Sequence, residues 1–214
     1  MFDPGSWPPG SPSGPGGLLF LAASIAAPGC GGAPQPADTP REVVRGFLRD
    51  LDRHDVEGAL ARLHDAFSFR SGDGSFTVGK ESMPAMLAWD VAARGEIEVR
   101  ELTGRGDTVR ARLVERNRFT DLLELEPWTV EATFVVRDGR IVEEVAREVV
   151  AEGPSFTERF ERALEPVRRW AVEARPAAAR AVFDGGRVAR YDGPTARGLL
   201  ELIEGYRREA GLDR

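Results

Sequence analysis

Two hydrophobic rhythms run along this chain, and the change from one to the other divides it. Val44, Phe47, Leu48 and Leu51 recur at three- and four-residue steps, the spacing that gathers side chains on one face of a helix. Just before them, Thr39, Pro40, Arg41 and Glu42 read as a capping box with proline at the first helical position, a start signal worth on the order of 1 kcal/mol. The stripe breaks at Arg53, His54 and Asp55, and Val56, Leu60 and Leu63 predict a shorter second helix, completing an αα-hairpin. Phe67 and Phe69 then alternate with polar residues, Ser71 to Ser75 predicts a turn, and Met83, Met86, Leu87 and Trp89 mark a third helix. Pro84 fits that helix only in its first turn.

After Gly95 the period becomes two. Ile97 and Val99 open a strand, Gly104 to Asp107 a turn, and Val109, Ala111 and Leu113 alternate with arginines. With that alternation unbroken, Glu115, Asn117 and Phe119 join the core-facing side. Val130, Ala132, Phe134 and Val136 alternate likewise up to Asp138 and Gly139, the strongest turn signal in the chain, because a two-residue hairpin needs positive φ at both positions. Centring the hairpin there pairs Val136 with Ile141, Phe134 with Glu143, Ala132 with Val145 and Val130 with Arg147, which turns Glu143 and Arg147 inward. Helices first and antiparallel strands after predict an α+β fold with the helices covering one face of the sheet.

Beyond Gly153 the helical rhythm returns. Phe156, Phe160, Ala163, Leu164, Val167 and Trp170 form one stripe, which Pro166 is expected to kink or divide. Arg175 and Pro176 open another helix ending at Asp184 to Gly186, Val188 to Tyr191 suggest a short strand, and Asp192, Gly193 and Pro194 start a last helix carrying Leu199, Leu202, Ile203 and Tyr206. This extension is expected to pack on its own domain; covering the outer sheet face or building a partner surface are the alternatives.

Composition narrows the function classes. Hydrophobic residues at 42% and charged residues at 30% suit a globular chain with a real core. The net charge of −6 makes nucleic acid a poor partner. The basic residues are arginines apart from Lys80. Two histidines and one cysteine leave no usual zinc cluster, no intramolecular disulfide and no cysteine–histidine dyad. Neither a metal nor a cofactor is expected. No stretch reaches the roughly 20 apolar residues of a membrane-spanning helix.

The first residues read differently from the rest. Met1 to Gly17 is rich in proline, glycine and serine, and Leu18 to Ala27 is an unbroken run of apolar or small residues, the length of a signal segment. It ends in Ala27, Pro28, Gly29 and Cys30, which resembles a bacterial lipobox, although no lysine or arginine precedes Leu18. The resemblance implies diacylglycerol on Cys30, a linker over 30–38, and an exported domain held at the extracytoplasmic face of the membrane. A low-complexity tail with a chance cysteine is the alternative.

Over Thr39 to Val150, the helical pair, the aromatic strand ending near Arg70, the Gly79–Lys80–Glu81 entry to the third helix and the Asp138–Gly139 hairpin resemble the nuclear transport factor 2-like superfamily, with its SnoaL-like proteins and ketosteroid isomerases. The resemblance implies three helices packed on a strongly curved antiparallel sheet, a cone with a pocket inside, over 39–151. A helical extension over 152–214 follows. Laid on the ketosteroid isomerase pattern, Phe47 takes the catalytic tyrosine's place, Arg70 falls at or beside the general base, and Ala132 lies near the acid. Neither phenylalanine nor alanine donates a hydrogen bond to an enolate, so that activity is not expected.

The candidate site comes from strand parity instead. Glu115, Asn117 and Arg147, projecting from an apolar sheet face, are expected to form a connected network, because isolated buried polar groups are costly. Trp89 and Asp90, at the end of the third helix, would close it. A satisfied salt bridge at the cone mouth, or a bulge turning these groups to solvent, are the structural alternatives. The resulting expectation is a non-catalytic domain that binds a small, partly apolar molecule. The other readings are a protein-interaction module of the cell envelope and a SnoaL-like isomerase or dehydratase, with a second copy as a candidate partner in a homodimer.

Overall fold

The computed structural model describes residues 38–150 and 152–212, so Cys30 and the segment around it lie outside the described residues. Helix α1 (Pro40–Asp52) starts as its sequence demands: the Thr39 side chain accepts from the Glu42 N–H, and the Glu42 carboxylate reaches back to the Thr39 N–H at 2.7 Å. Helix α2 (Val56–Ala61) is capped by Asp55. It stops short of Leu63, which opens strand β1 (Leu63–Ser71). Strand β2 (Thr77–Gly79) and a 3₁₀ turn lead into α3 (Met83–Ala93), with Pro84 in its first turn. Strands β3 (Glu96–Arg105), β4 (Thr108–Arg116), β5 (Trp128–Arg137) and β6 (Arg140–Glu148) follow, with the short helix α4 (Arg118–Leu122) between β4 and β5.

The six strands form one sheet in the order β2-β1-β6-β5-β4-β3, antiparallel except where β1 runs parallel to β6. The fold is therefore α+β, with a bent, mostly antiparallel sheet closing around α1 to α3 as a cone. Its core joins Val44, Phe47 and Leu48 of α1 to Leu63, Phe67, Val109, Leu113, Phe134 and Ile141 of the sheet. The hairpin at Asp138 and Gly139 has φ of 50° and 72° at the two turn residues, as a primed turn requires, and Arg137 pairs with Arg140 across it.

The hairpin register departs from simple parity three residues beyond the turn. Val136 pairs with Ile141, but Val135 pairs with Glu143, so Val142 is an extra residue and the register shifts there. Phe134 consequently faces Glu144, Ala132 faces Ala146 and Val130 faces Glu148. A shift of one residue exchanges the two faces of a strand. Glu144 thus points inward, whereas Glu143 and Arg147, expected inside, point outward: Arg147 meets Glu131 at 3.2 Å and Glu143 meets Arg70 at 3.0 Å, both on the outer surface. Arg147→Ala is accordingly expected to change the unfolding free energy by less than about 0.5 kcal/mol, measured by denaturant unfolding. A loss several times larger would mean that Arg147 is buried after all.

A second correction concerns the end of β4. The strand stops at Arg116, and Asn117 turns to cap α4, its side chain accepting from the Thr120 N–H at 3.1 Å. Phe119 is therefore a buried helical residue and not a strand residue. Asparagine at that position offers the backbone a local hydrogen bond that competes with the ladder.

Beyond the sheet lie α5 (Phe156–Ala174), α6 (Pro176–Val182), the two-residue strands β7 (Phe183–Asp184) and β8 (Arg187–Val188), and α7 (Gly193–Glu209). Pro166 sits inside α5 without dividing it, and β8 is shorter than the expected strand through Tyr191. A second core forms here, in which Leu164, Val167, Leu199 and Ile203 pack with Trp89, Ala93, Phe119 and Leu122 of α3 and α4. Helix α3 is thus buried on two sides, Leu87 in the cone and Trp89 and Ala93 in the second core. That explains why its sequence is apolar all round instead of carrying one stripe. Among the described residues, no helix is long and apolar enough to cross a membrane.

Candidate functional site

The cone is not filled at its mouth. A cavity of about 210 Å³ opens between the α1–α2 turn, the end of α3, the end of β4 and the start of α5. Its walls are largely aromatic, and the rings touch in series: Trp128 stacks on Phe156 at 4.1 Å, Phe156 lies 5.8 Å from Phe160, and Phe160 is 6.1 Å from Phe119. Trp89 continues the belt, 5.2 Å from Phe119 and 5.0 Å from Tyr191. All six rings line the cavity, three of them contributed by residues beyond Gly153. The C-terminal segment therefore closes the mouth of the cone.

Asp90 and Glu115 project into this belt. Asp90 sits one residue after Trp89 on the last turns of α3, and Glu115 continues the inward series of Ala111 and Leu113 on β4, opposite Trp128. Among the described residues, neither carboxylate has a hydrogen bond or an ion pair. Burial pushes Asp90 up to about 7, and burial followed by the charge of Asp90 pushes Glu115 to about 7. Asp90 is exposed by surface area, yet protein packs densely around its carboxyl, and that crowding is what raises it. Behind the lining, Glu144 is pushed to about 8 by burial, then by Glu115 and Asp90. Three carboxyl groups that repel one another in a poorly solvated space favour the protonated form, and their titrations belong to the group as a whole.

The rim is held by polar contacts of its own. His54, at φ 57°, ends the α1–α2 turn and donates from Nε2 to the Gly95 carbonyl at 2.9 Å, tying that turn to the start of β3. Asp50 is bound by Arg62, and Glu96 by Arg116 at 2.7 Å. Among the described residues, no group of three or more histidine, cysteine or acidic side chains is placed to hold a metal ion.

Of the five residues read from sequence as ligand contacts, Trp89, Asp90, Glu115 and Asn117 line the cavity. Arg147 lies on the opposite sheet face, so the expected Glu115–Arg147 pair does not exist, and the inward partner on β6 is Glu144. Sequence parity missed Glu144 because the bulge at Val142 leaves no composition signal. It also missed the belt residues Phe156, Phe160 and Tyr191, which reach the mouth only through tertiary packing. The positions compared with ketosteroid isomerase carry no inward polar group: Phe47 and Ala132 are core residues, and Arg70 faces outward to Glu143.

No protein-family model matches the sequence, and no curated protein is significantly similar to it. Solved structures that resemble it include an NTF2-like protein of unknown function from Cytophaga hutchinsonii, 16% identical over 52% of this chain and 90% of that one, TM-score 0.42. A candidate ketosteroid isomerase from Kribbella flavida is 15% identical, covers 54% and 82%, and has a TM-score of 0.45. An LEH-like epoxide hydrolase from M. tuberculosis is 18% identical, covers 58% and 91%, and has a TM-score of 0.47. At such identities and scores these neighbours say nothing of this chain's chemistry.

Proposed function

We propose that this chain is a small-molecule-binding domain of an envelope lipoprotein, taking a partly apolar ligand in the cone mouth. The observation that carries the reading is the unfilled cavity: a belt of six aromatic rings around two carboxyls that the protein itself leaves unpartnered. Apolar walls with a few convergent polar groups are the usual make-up of a ligand pocket, whereas a pure interaction module would have filled the cone with side chains. Ligand-observed NMR with a panel of small aromatic and alicyclic probes tests it. Saturable binding of at least one probe is expected, weakened roughly tenfold by Trp128→Ala. Absence of binding across the panel, together with a crystal structure showing the mouth packed with side chains, would remove the reading.

Two carboxyls titrating near neutrality also favour a second reading, acid–base chemistry of the isomerase or dehydratase kind. A carboxyl poised near the working pH can both give and take a proton within reach of a bound molecule. Turnover of a bound molecule, lost in both Asp90→Asn and Glu115→Gln, would favour this alternative over binding alone.

The envelope location rests on Cys30 and the small residues before it. The expected product is a chain beginning at a diacylglyceryl-modified Cys30, seen by mass spectrometry of the native N-terminus. An unmodified thiol with Met1 still attached would place the protein elsewhere.

A further inference from the structure

The ionisable lining of the cavity is almost all of one sign. Apart from His54, Arg116 and Tyr191, it consists of carboxylates. Most of these are already answered within the protein: Asp50 by Arg62, Asp55 by the Gly58 N–H, Glu96 by Arg116 and Glu161 by Arg168. Asp90 and Glu115 are not, although they line the same cavity as the aromatic belt. Glu144 adds a third acidic group behind them, where Phe134 opposite it on β5 offers no counter-charge.

We propose that the cavity takes an organic cation, a protonated amine carried on a small apolar body, with Asp90 and Glu115 receiving the ammonium group and the aromatic belt receiving the rest. The proposal rests on the small-molecule reading and specifies its ligand class. Ring faces carry negative potential, so a belt of tryptophan, tyrosine and phenylalanine attracts a cation as well as an apolar body. An ammonium N–H donates to a carboxylate more strongly than a neutral hydroxyl does, and more so in a poorly solvated site. Crowded by protein and without counter-ions, the two carboxyls lean toward their neutral forms; a bound ammonium supplies the charge that the protein omits. An anionic ligand meets the same field as repulsion.

Calorimetry on the full chain with two probes of nearly equal shape, phenethylammonium chloride and 2-phenylethanol, tests the assignment. The amine is expected to bind at least about tenfold more tightly than the alcohol, and Glu115→Gln or Asp90→Asn to lower amine affinity roughly five- to tenfold while leaving the alcohol unchanged. The wild-type comparison stands whether or not either variant folds, and thermal unfolding of the variants separates a lost contact from a lost fold. Equal affinities with saturable alcohol binding would overturn the cation assignment and leave the small-molecule reading intact. Failure of both probes to bind would overturn the cation assignment, while the small-molecule reading would fall only if the wider probe panel also failed and the mouth proved packed.

Discussion

Glu144→Gln is expected to stabilise the protein at alkaline pH and to flatten its stability profile between about pH 5 and 8. In the unfolded chain this carboxyl ionises around its ordinary value of 4.5; in the fold it does so at about 8. Between those values the folded state holds a proton that the unfolded state has released, so stability falls as pH rises through that window and stays low above it. Taken alone, such a shift would cost roughly 5 kcal/mol. Cavity water, and the sharing of protons with Glu115 and Asp90, reduce the expected gain from removing the charge to about 2 kcal/mol at pH 9. Glutamine keeps the size and the hydrogen-bonding capacity, so packing against Phe134 changes little. Carboxylates held low by local hydrogen bonds, such as Asp73 at about 2 through the Ser71 hydroxyl, give the opposite slope, but only in acid. Denaturant unfolding at several pH values reads the effect. An unchanged alkaline slope in Glu144→Gln would show that Glu144 is ionised and well solvated in the fold.

Arg62→Ala is expected to cost about 3 kcal/mol, because it strands a buried carboxylate. Asp50 is 7% exposed on the inner face of α1, and the Nε of Arg62, which follows α2, donates to it. Space for the guanidinium exists only because residue 46, one turn earlier, is glycine: a Cβ there would collide with it. The nearby Arg49 reaches Asp50 at 3.7 Å but is itself well exposed, so it is a weak substitute. Adding Asp50→Asn to the Arg62→Ala variant removes the uncompensated charge and should recover about half of the loss, read as a coupling in a double-mutant cycle. A loss under about 0.5 kcal/mol would mean that water solvates Asp50 as well as Arg62 does.

Much of this protein was legible in its sequence, for local reasons. The capping box at Thr39 and Glu42, the proline in the first turn of α3 and the Asp138–Gly139 hairpin each depend on atoms a few residues apart, and each stands where the residues indicated. The order of helices before strands likewise led to an α+β fold with helices on one face of the sheet, since an amphipathic stripe and an alternating strand bury their apolar faces on one another. On β4, two-residue parity carried Glu115 to the interior correctly, because nothing interrupts the ladder before Arg116. One residue further on, the reading failed at Asn117, where a side-chain cap wins over continued pairing.

What lay beyond reach was decided by contacts between distant parts. The bulge at Val142, where the register of β6 shifts against both β5 and β1, exchanged Arg147 for Glu144 at the cone interior. Asp90, Glu115 and Glu144 come from a helix and two strands, so their mutual repulsion and shared burial exist only once the sheet has curved. The aromatic belt is drawn from α3, α4, β5, α5 and the residue before Asp192, and a stripe such as Phe156 and Phe160 states that it must be buried without stating against what. The sequence by itself determined most of the longer elements, the cap at Thr39 and the tight turn, because those energies are local. The tertiary structure alone decided which acidic groups meet and what closes over them, because charge and burial are properties of a place in the fold and not of a position in the chain.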